Sequence, residues 1–301
     1  MAEPLVVAII LNTNRREDTL TCLESLKQAT YPNLKIIVLD NHSSDGSAMA
    51  IHHLYPYVQV ITLRENQGYA GNNNVGIEEA IELGAEWMFV LNEDTIIESD
   101  CISQLVQEGE KDLRIGVLGP MVYHHDEASI IQSAGGKFTR FWDAYHLGQN
   151  ELDQGQFAQP HEVDWISGCA IMVRRAAIEQ AGMIDARFFY YWEETEWCLR
   201  IGRAGWRIVH VPIAKVWHKG VQRNYQPKPS VTYYSTRNHL FMLLKHGAPF
   251  MAWIFNFGQI FRTMVSWTIQ PKWREKTEHR NAMWCGVIDF LRHRWGQKPS
   301  L

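Results

Sequence analysis

Residues 5–46 read LVVAIILNTNRREDTLTCLESLKQATYPNLKIIVLDNHSSDG. Two short runs of Val, Ile and Leu, at 5–11 and 34–39, bracket a helix-like stretch over 17–29. A continuous apolar run of this length suits a strand covered on both faces, and strand–helix–strand is the order of a parallel βαβ unit. The pattern repeats. Apolar runs recur at 58–63, 87–91 and 115–118, with helix-like stretches at 44–54, 69–83 and 99–110. The expected fold class is therefore α/β, a mostly parallel sheet flanked by helices. Ligands of such sheets sit at the C-terminal ends of the strands, so the residues that follow each run carry the functional information.

Those exits are polar and glycine-rich. The first run leaves through Leu11-Asn12-Thr13-Asn14 and the second through Asp40-Asn41-His42-Ser43-Ser44-Asp45-Gly46. The third leaves through a segment that includes Asn66, Gly68, Gly71, Asn72, Asn73, Asn74 and Gly76, and the fourth through Asn92-Glu93-Asp94-Thr95. One Asx/Gly cluster is ordinary turn chemistry; four on one sheet edge mark a site. The first strand-to-helix turn, 12–18, contains no glycine, so the dinucleotide fingerprint GxGxxG is missing where it belongs. Neither a P-loop nor an HExxH motif is present.

Composition bounds the rest. The chain has 301 residues, 46% hydrophobic and 21% charged, enough for one large domain or a domain with an appendage. Its five cysteines (Cys22, Cys101, Cys169, Cys198, Cys285) contain no CxxC pair, which argues against a disulfide framework or zinc site and for a reducing cytoplasm. Glu3 and Pro4 precede the first apolar run, so no signal peptide is expected. Charge is uneven: residues 219–301 carry thirteen Lys/Arg against three Asp/Glu, and residues 1–218 sixteen against thirty. Trp253, Trp267, Trp273, Trp284 and Trp295 are interleaved with the basic residues of that tail, a mixture that suits nucleic acid or an anionic membrane surface.

Further along, 163–173 reads as a strand carrying a glycine, 175–181 as a helix ended by Gly182, 193–203 as a helix, 207–211 as a strand stopped by Pro212, and the chain from 233 onward as helices. Asp94, on a strand end, is a good ligand for a hard cation, or else the N-cap of a helix over 96–105. Glu193-Glu194-Thr195-Glu196 opens a helix, where carboxylates favour the dipole. It also follows the aromatic run Phe188-Phe189-Tyr190-Tyr191-Trp192, whose apolar wall would raise a carboxylate pKa toward that of a general base. His218 reads as a structural histidine or a ligand.

Taken together, these segments resemble glycosyltransferase family 2, inverting enzymes of GT-A fold, and within it the rhamnosyltransferase-like branch. The matching motifs are Asn12-Thr13-Asn14, 40–47, 66–76, 91–94, Gly168-Cys169-Ala170, 188–200 and Trp217-His218-Lys219-Gly220, in order over roughly 5–220. The resemblance implies a transfer of a sugar, such as rhamnose, from a dTDP- or UDP-sugar to a hydroxyl of a cell-surface glycan or lipid-linked acceptor, in polysaccharide biosynthesis. It implies that Asp40 accepts from the pyrimidine N3–H, with Leu11 and Thr13 lining the base and Asn66, Gly68, Gly71 and Asn92 framing the donor. Asp94 and His218 would hold Mg2+ or Mn2+. Glu194 would be the base, with Trp165, Gly168, Glu193 and Arg237 on the acceptor side. Three departures stand out: Glu194 and Glu196 replace the family's usual aspartates, Thr13 replaces a tyrosine, and the metal motif lacks a leading aspartate.

The expected organisation is a GT-A catalytic domain over 1–222 and a basic, aromatic-rich helical region over 223–301. The uncharged run GAPFMAWIFNFGQIF at 247–261 is shorter than the about 20 residues that span a bilayer. It suits either peripheral contact at the inner face of the plasma membrane or packing against a second subunit of a homodimer. No nucleic-acid partner is expected. The alternatives from other classes are a sugar nucleotidyltransferase, which needs a glycine-rich basic loop after the first strand, and a non-enzymatic module binding anionic membrane or nucleic acid through the tail.

Overall fold

The structure is a computed structural model and describes residues 3–220 and 226–298. Val6–Asn12 (β1), Arg16–Lys27 (α1), Leu34–Asp40 (β2), Ser47–Leu54 (α2), Gln59–Thr62 (β3), Gly68–Glu82 (α3) and Trp87–Asn92 (β4) alternate as the sequence pattern predicts. Thr95–Ile97 (β5), Cys101–Gly109 (α4), Ile115–His124 (β6) and Ile131–Ser133 (β7) follow, then a small hairpin of Gly136–Phe138 (β8) and Ala144–His146 (β9). His161–Glu162 (β10), Ala170–Arg174 (β11), Arg175–Ala181 (α5), Glu193–Arg203 (α6) and Arg207–His218 (β12) complete the α/β part.

The main sheet has the order β10-β12-β6-β11-β4-β1-β2-β3, with β5 and β7 paired to β12 and β6. β1 runs parallel to β2 and β4, β2 to β3, and β12 to β6. β11 is antiparallel to both of its neighbours, β4 and β6. The sheet is thus mixed but mostly parallel, and the register sets Asn12 beside Asp40 and Leu11 beside Asn92. The exits of β1, β2 and β4 consequently share one rim. Because β11 runs backwards, its first residue, Ala170, lies opposite Leu91 at that same rim.

Both faces of the sheet are covered. Val6, Ala8 and Ile10 point into one apolar cluster and Val7 and Ile9 into the other, all fully buried. Each such side chain contributes roughly 1.5–3 kcal/mol on burial, which is why the runs are continuous rather than alternating.

Two strand expectations need correction. Only Ala170–Arg174 of the 163–173 run is a strand. Ala170 N–H turns back to the Ser167 carbonyl and Gly136 N–H takes the Trp165 carbonyl, which curls the preceding residues into a loop. Nor does Pro212 end the last strand: β12 continues to His218, with its register against β6 shifting between Val211 and Lys215. A bulge is where a strand tolerates a residue that cannot donate. The helix-capping reading of Asp94 also falls away, since Thr95–Ile97 is a strand paired to β12 and the next helix starts at Cys101.

Beyond the α/β part lie three helices, Pro229–Lys245 (α7), Phe250–Ile269 (α8) and Thr277–Leu291 (α9). Leu240 and Leu243 of α7 pack with Ala252, Val287 and Phe290. The expected boundary at 222 lies outside the described residues. α7 packs onto the α/β part itself: Phe241 and Met242 share a cluster with Phe188.

Candidate active site

The rim of the sheet gathers a compact set of charges. Asp94, 5% exposed, has Oδ1 at 3.1 Å from His218 Nε2 and Oδ2 at 3.2 Å from an Arg15 guanidinium nitrogen. β12 pairs with β5 so that His218 stands opposite Thr95, and the sheet itself therefore brings the two together. Arg15 also binds Asp18 at 2.7 Å, and Lys219 Nζ reaches the other Asp18 oxygen at 3.0 Å. Burial alone would raise the Asp94 pKa, but His218 and Arg15 outweigh it and hold the carboxylate below its ordinary range. Its neighbour Glu93 goes the other way, pushed up to about 7 by burial and then by the Asp94 charge.

The residues present fit a divalent cation. His218 Nδ1 lies 3.0 Å from the Gln132 side-chain oxygen and Nε2 lies 3.2 Å from the Asn92 amide, which hold the ring with Nε2 toward Asp94. An imidazole nitrogen and a carboxylate turned toward one point are donors that a divalent cation takes, and Asp94 Oδ1 is buried with no hydrogen-bond partner besides that ring. Gly220 keeps the space open, because a Cβ there would stand 2.8 Å from Asp94 Oδ2 and 3.0 Å from His218 Nε2. Among the described residues no group of three His, Cys, Asp or Glu surrounds one point.

Cys169 links this cluster to a second one: its thiol feels the charges of both Asp94 and Glu194, and its carbonyl accepts from Asn92 N–H and the Thr95 hydroxyl. Next to it, the Gly168 carbonyl accepts from the Tyr69 hydroxyl at 2.5 Å, and a Cβ on Gly168 would meet Glu194 Cγ at 3.4 Å. Burial raises Glu193 well above its ordinary pKa, with the adjacent Glu194 charge adding to it. Burial also raises Glu194, less strongly, because the backbone N–H groups of Glu194, Thr195 and Gly168 favour its charge. Both carboxyls therefore hold a proton to higher pH than an ordinary glutamate, and they titrate as a pair. Oε2 of each lacks a partner. A buried carboxylate with a free oxygen and a raised pKa can take a proton from a hydroxyl.

The aromatic segment before these glutamates is unusually shaped. Phe189, Tyr191 and Trp192 have φ of 65°, 68° and 74°, a left-handed backbone that costs roughly 1–2 kcal/mol per non-glycine residue. Gly68 and Gly71 belong to this packing rather than to an open donor surface. Gly68 (φ 73°) would place a Cβ 2.2 Å from the Phe189 carbonyl, and Gly71 lies against Gln67 and Ala186. Arg237 needs a similar correction: it is 1% exposed and engages the Phe188 and Gly296 carbonyls, the Tyr233 hydroxyl and Asn238. Trp165, 4% exposed, lies in the core against His146, 4.6 Å between ring centres, and so does not line an open acceptor surface.

At the far end of the rim, Asp40 is 3% exposed, with its two oxygens taken by the Asn12 amide at 3.0 Å and the Ser43 N–H at 3.2 Å. Each carboxylate oxygen keeps a second lone pair. Leu11 is half-buried and Thr13 exposed beside it, its hydroxyl accepting from Asn41. Asn66, exposed, caps Gly68 N–H at 2.9 Å.

Residues 7–182 match the sequence profile of glycosyl transferase family 2. The chain belongs to that family. Among relatives, an N-acetylglucosaminyl-diphospho-decaprenol L-rhamnosyltransferase of Mycobacterium tuberculosis is 29% identical over 250 residues, 74% of this chain and 79% of that protein. The dTDP-rhamnosyl transferase RfbF of Shigella flexneri is 24% identical over 292 residues, 94% and 95% of the two chains. In fold, the mannosyltransferase PcManGT from Pyrobaculum calidifontis, solved with GDP-Man and Mn2+, superposes with a TM-score of 0.62 at 13% identity, covering 98% of this chain and 89% of that one. The fold is that of the GT-A glycosyltransferases.

Several residues of this family 2 glycosyltransferase site escape a sequence reading. Arg15, Asp18 and Gln132 sit outside the quoted motifs, and Lys219 lies inside one without a role. Tyr69, in the glycine-rich segment, is marked only by its neighbours. Glu196 proves to be a fastener. It is fully buried, with Lys245 at 2.8 Å, His246 at 2.9 Å and Arg200 at 3.1 Å, and the hydrogen bonds from His246 and Arg200 with the Arg200 and Lys245 charges overcome burial to lower its pKa to about 2. A carboxylate depressed in the folded state from its ordinary 4.5 contributes stability that is present above that value and is lost as pH falls toward 2. Urea unfolding of Glu196→Gln at pH 7 is expected to show a loss of about 3 kcal/mol that shrinks as pH falls; an unchanged midpoint at pH 7 would refute the role.

Proposed function

We propose that this glycosyltransferase is an inverting, metal-dependent enzyme that moves a hexose, in the first instance rhamnose, from a dTDP- or UDP-sugar to a glycan or lipid-linked hydroxyl. One observation carries the reading: a buried Asp94–His218 pair with room kept beside it by Gly220, and a second, protonatable carboxylate pair beyond Gly168 and Cys169. Asp94 and His218 hold Mg2+ or Mn2+, which when bound offsets the charge that develops on the departing diphosphate. Arg15 and Lys219, already beside Asp94 and Asp18, are placed to share that load. Asp40 uses its spare lone pairs on the N3–H of a uracil or thymine ring. Asn66, exposed beside Gly68, faces the donor sugar. Glu194 takes the proton of the attacking hydroxyl, and the adjacent buried Glu193 raises the cost of a second charge beside it. One base and one displacement invert the anomeric centre, as in one-step glycoside chemistry. The relatives named for dTDP-rhamnosyl and diphospho-decaprenol substrates support the donor and acceptor classes. Incubation with dTDP-rhamnose, UDP-hexoses and Mn2+ is expected to give a glycoside whose anomeric NMR signal has the opposite configuration to the donor. Retained configuration would rule out the mechanism.

We place the acceptor's lipid near α8. Phe250, Ile254, Phe257, Phe261, Val265 and Ile269 of that helix are exposed along one stripe, and only Ala252 and Asn256 are buried. Arg262, Lys272 and Arg274 are exposed at its far end. No described helix is long and apolar enough to cross a membrane. An apolar stripe flanked by cations suits the surface of an anionic bilayer. Flotation with phosphatidylglycerol vesicles is expected and should be lost in Phe261→Glu; a stable dimer with no flotation would assign the stripe to a second subunit instead.

A further inference from the structure

The carboxylates of the site stand on a piece of chain that would not hold its own shape. Phe189, Tyr191 and Trp192 are all left-handed, and Trp192 is the residue immediately before Glu193 and Glu194. Backbone in this state persists only where its surroundings dictate it. The dictating group is one side chain on α7. Asn238, fully buried, directs its Nδ2 at three carbonyls of the segment: Phe188 at 2.7 Å, Tyr190 at 2.9 Å and Tyr191 at 2.8 Å.

Two neighbours fix that amide. The Asn238 carbonyl oxygen accepts from Arg237 Nε at 2.9 Å; a guanidinium can only donate, so it settles which end of the amide faces the loop. Arg237 adds its own bond to the Phe188 carbonyl at 3.2 Å and is itself anchored by the Gly296 carbonyl at 2.7 Å. The next residue, His239, lies flat on Trp192 with ring centres 4.1 Å apart and planes 6° from parallel. Three consecutive residues of α7 therefore grip the loop from one side. On the other side Phe189 closes over Gly68, and its carbonyl takes Ala70 N–H at 3.4 Å.

We infer that Asn238 is a positioning residue for catalysis: its single carboxamide, oriented by Arg237, holds the 188–192 loop in the left-handed course that sets the Glu194 carboxylate beside Gly168. The inference rests on the reading of Glu194 as the base, and it gives the helical C-terminal region a part in the chemistry that reaches no substrate directly. Such a role differs from plain structural support in what it leaves intact. Donor contacts on the β1, β2 and β4 exits do not depend on α7, so loosening the loop should slow turnover without weakening the donor.

The test is a double-mutant cycle on the full-length protein with Asn238→Ala, Glu194→Gln and their combination, following single-turnover rate and calorimetric donor affinity with Mn2+. Asn238→Ala is expected to keep donor affinity within about threefold and to lower the rate roughly 10²-fold, the scale of an ångström's misplacement. In the Glu194→Gln background it should lower the residual rate no further, because there is no base left to misplace. Rate losses that multiply in the double variant, or a folded Asn238→Ala with an undiminished rate, overturn the positioning role while leaving Glu194 as base. Full activity in Glu194→Gln overturns both. If Asn238→Ala does not fold, Asn238→Ser, which keeps one donor, carries the same cycle and is expected to fall between the two.

Discussion

Asp94→Ala is expected to weaken donor binding in the presence of Mn2+ by at least about 100-fold and to lower kcat by roughly 10³-fold, the loss seen when a principal stabiliser of developing charge is removed. The reason is local. The side chain is buried, it stands 3.1 Å from His218 Nε2, and Gly220 brings no Cβ into the space beside the two. The variant should remain folded, because Asp94 is held in the sheet by backbone contacts, among them Lys219 N–H on its carbonyl at 3.1 Å, and alanine keeps them. Removing the carboxylate leaves Arg15 with Asp18, so no cation is stranded. Calorimetry with dTDP and UDP, with and without Mn2+, reads the effect directly. Equal metal-dependent affinities in the two proteins would remove Asp94 from the site.

Glu194→Gln should do the reverse: donor affinity unchanged and kcat down by roughly 10²–10⁴, the range of a lost general base. Glutamine keeps the volume beside Gly168 and Tyr69, so packing survives. The wild-type rate should also carry a signature of the pair. A base must be unprotonated to act, and burial raises Glu194. The rate of the native protein therefore falls with decreasing pH at a point above that of an ordinary glutamate, and this limb should vanish in Glu194→Gln. The same shift has a cost in stability: a carboxylate whose folded pKa is raised favours the folded state below its ordinary pKa and loses that advantage as pH rises through the folded value. Glu193→Gln, which removes the more strongly raised partner, is accordingly expected to melt higher at pH 8 than the native chain. A persisting acid limb in Glu194→Gln would place the base elsewhere.

What the sequence discloses and what it hides divide along a physical line. The parallel strands are legible because burial on both faces forces uninterrupted Val/Ile/Leu runs, and their polar exits mark the rim because nothing else at a strand end needs so many Asx residues. The role of Asp94 becomes sharper in the structure, since β5 removes the helix it would otherwise cap. Other features depend on what lies opposite in space. Pro212 looks like a strand end until β6 shows that the strand is bulged there. Gly68 and Gly71 look like a ligand cradle until Phe189 is seen lying on the first and Gln67 and Ala186 on the second. Arg237 is expected on the acceptor side, yet it is buried among carbonyls far along the chain, at 188 and 296. Pairings of this kind leave no trace in local periodicity. Glu196, two residues along the helix from Glu194, is told apart from it by the Arg200, Lys245 and His246 side chains around it.

The reversed strand in the middle of the sheet has a further consequence. β6 finishes at the rim with His124, and β11 starts from the same rim with Ala170. Everything between, residues 125–169, leaves and returns at one edge without owing its register to β1 or β2. Lengthening such an excursion costs little in chain entropy. A lineage can thus rewrite that segment, which ends beside Glu194 at Gly168, while β1, β2 and β4 stay as they are.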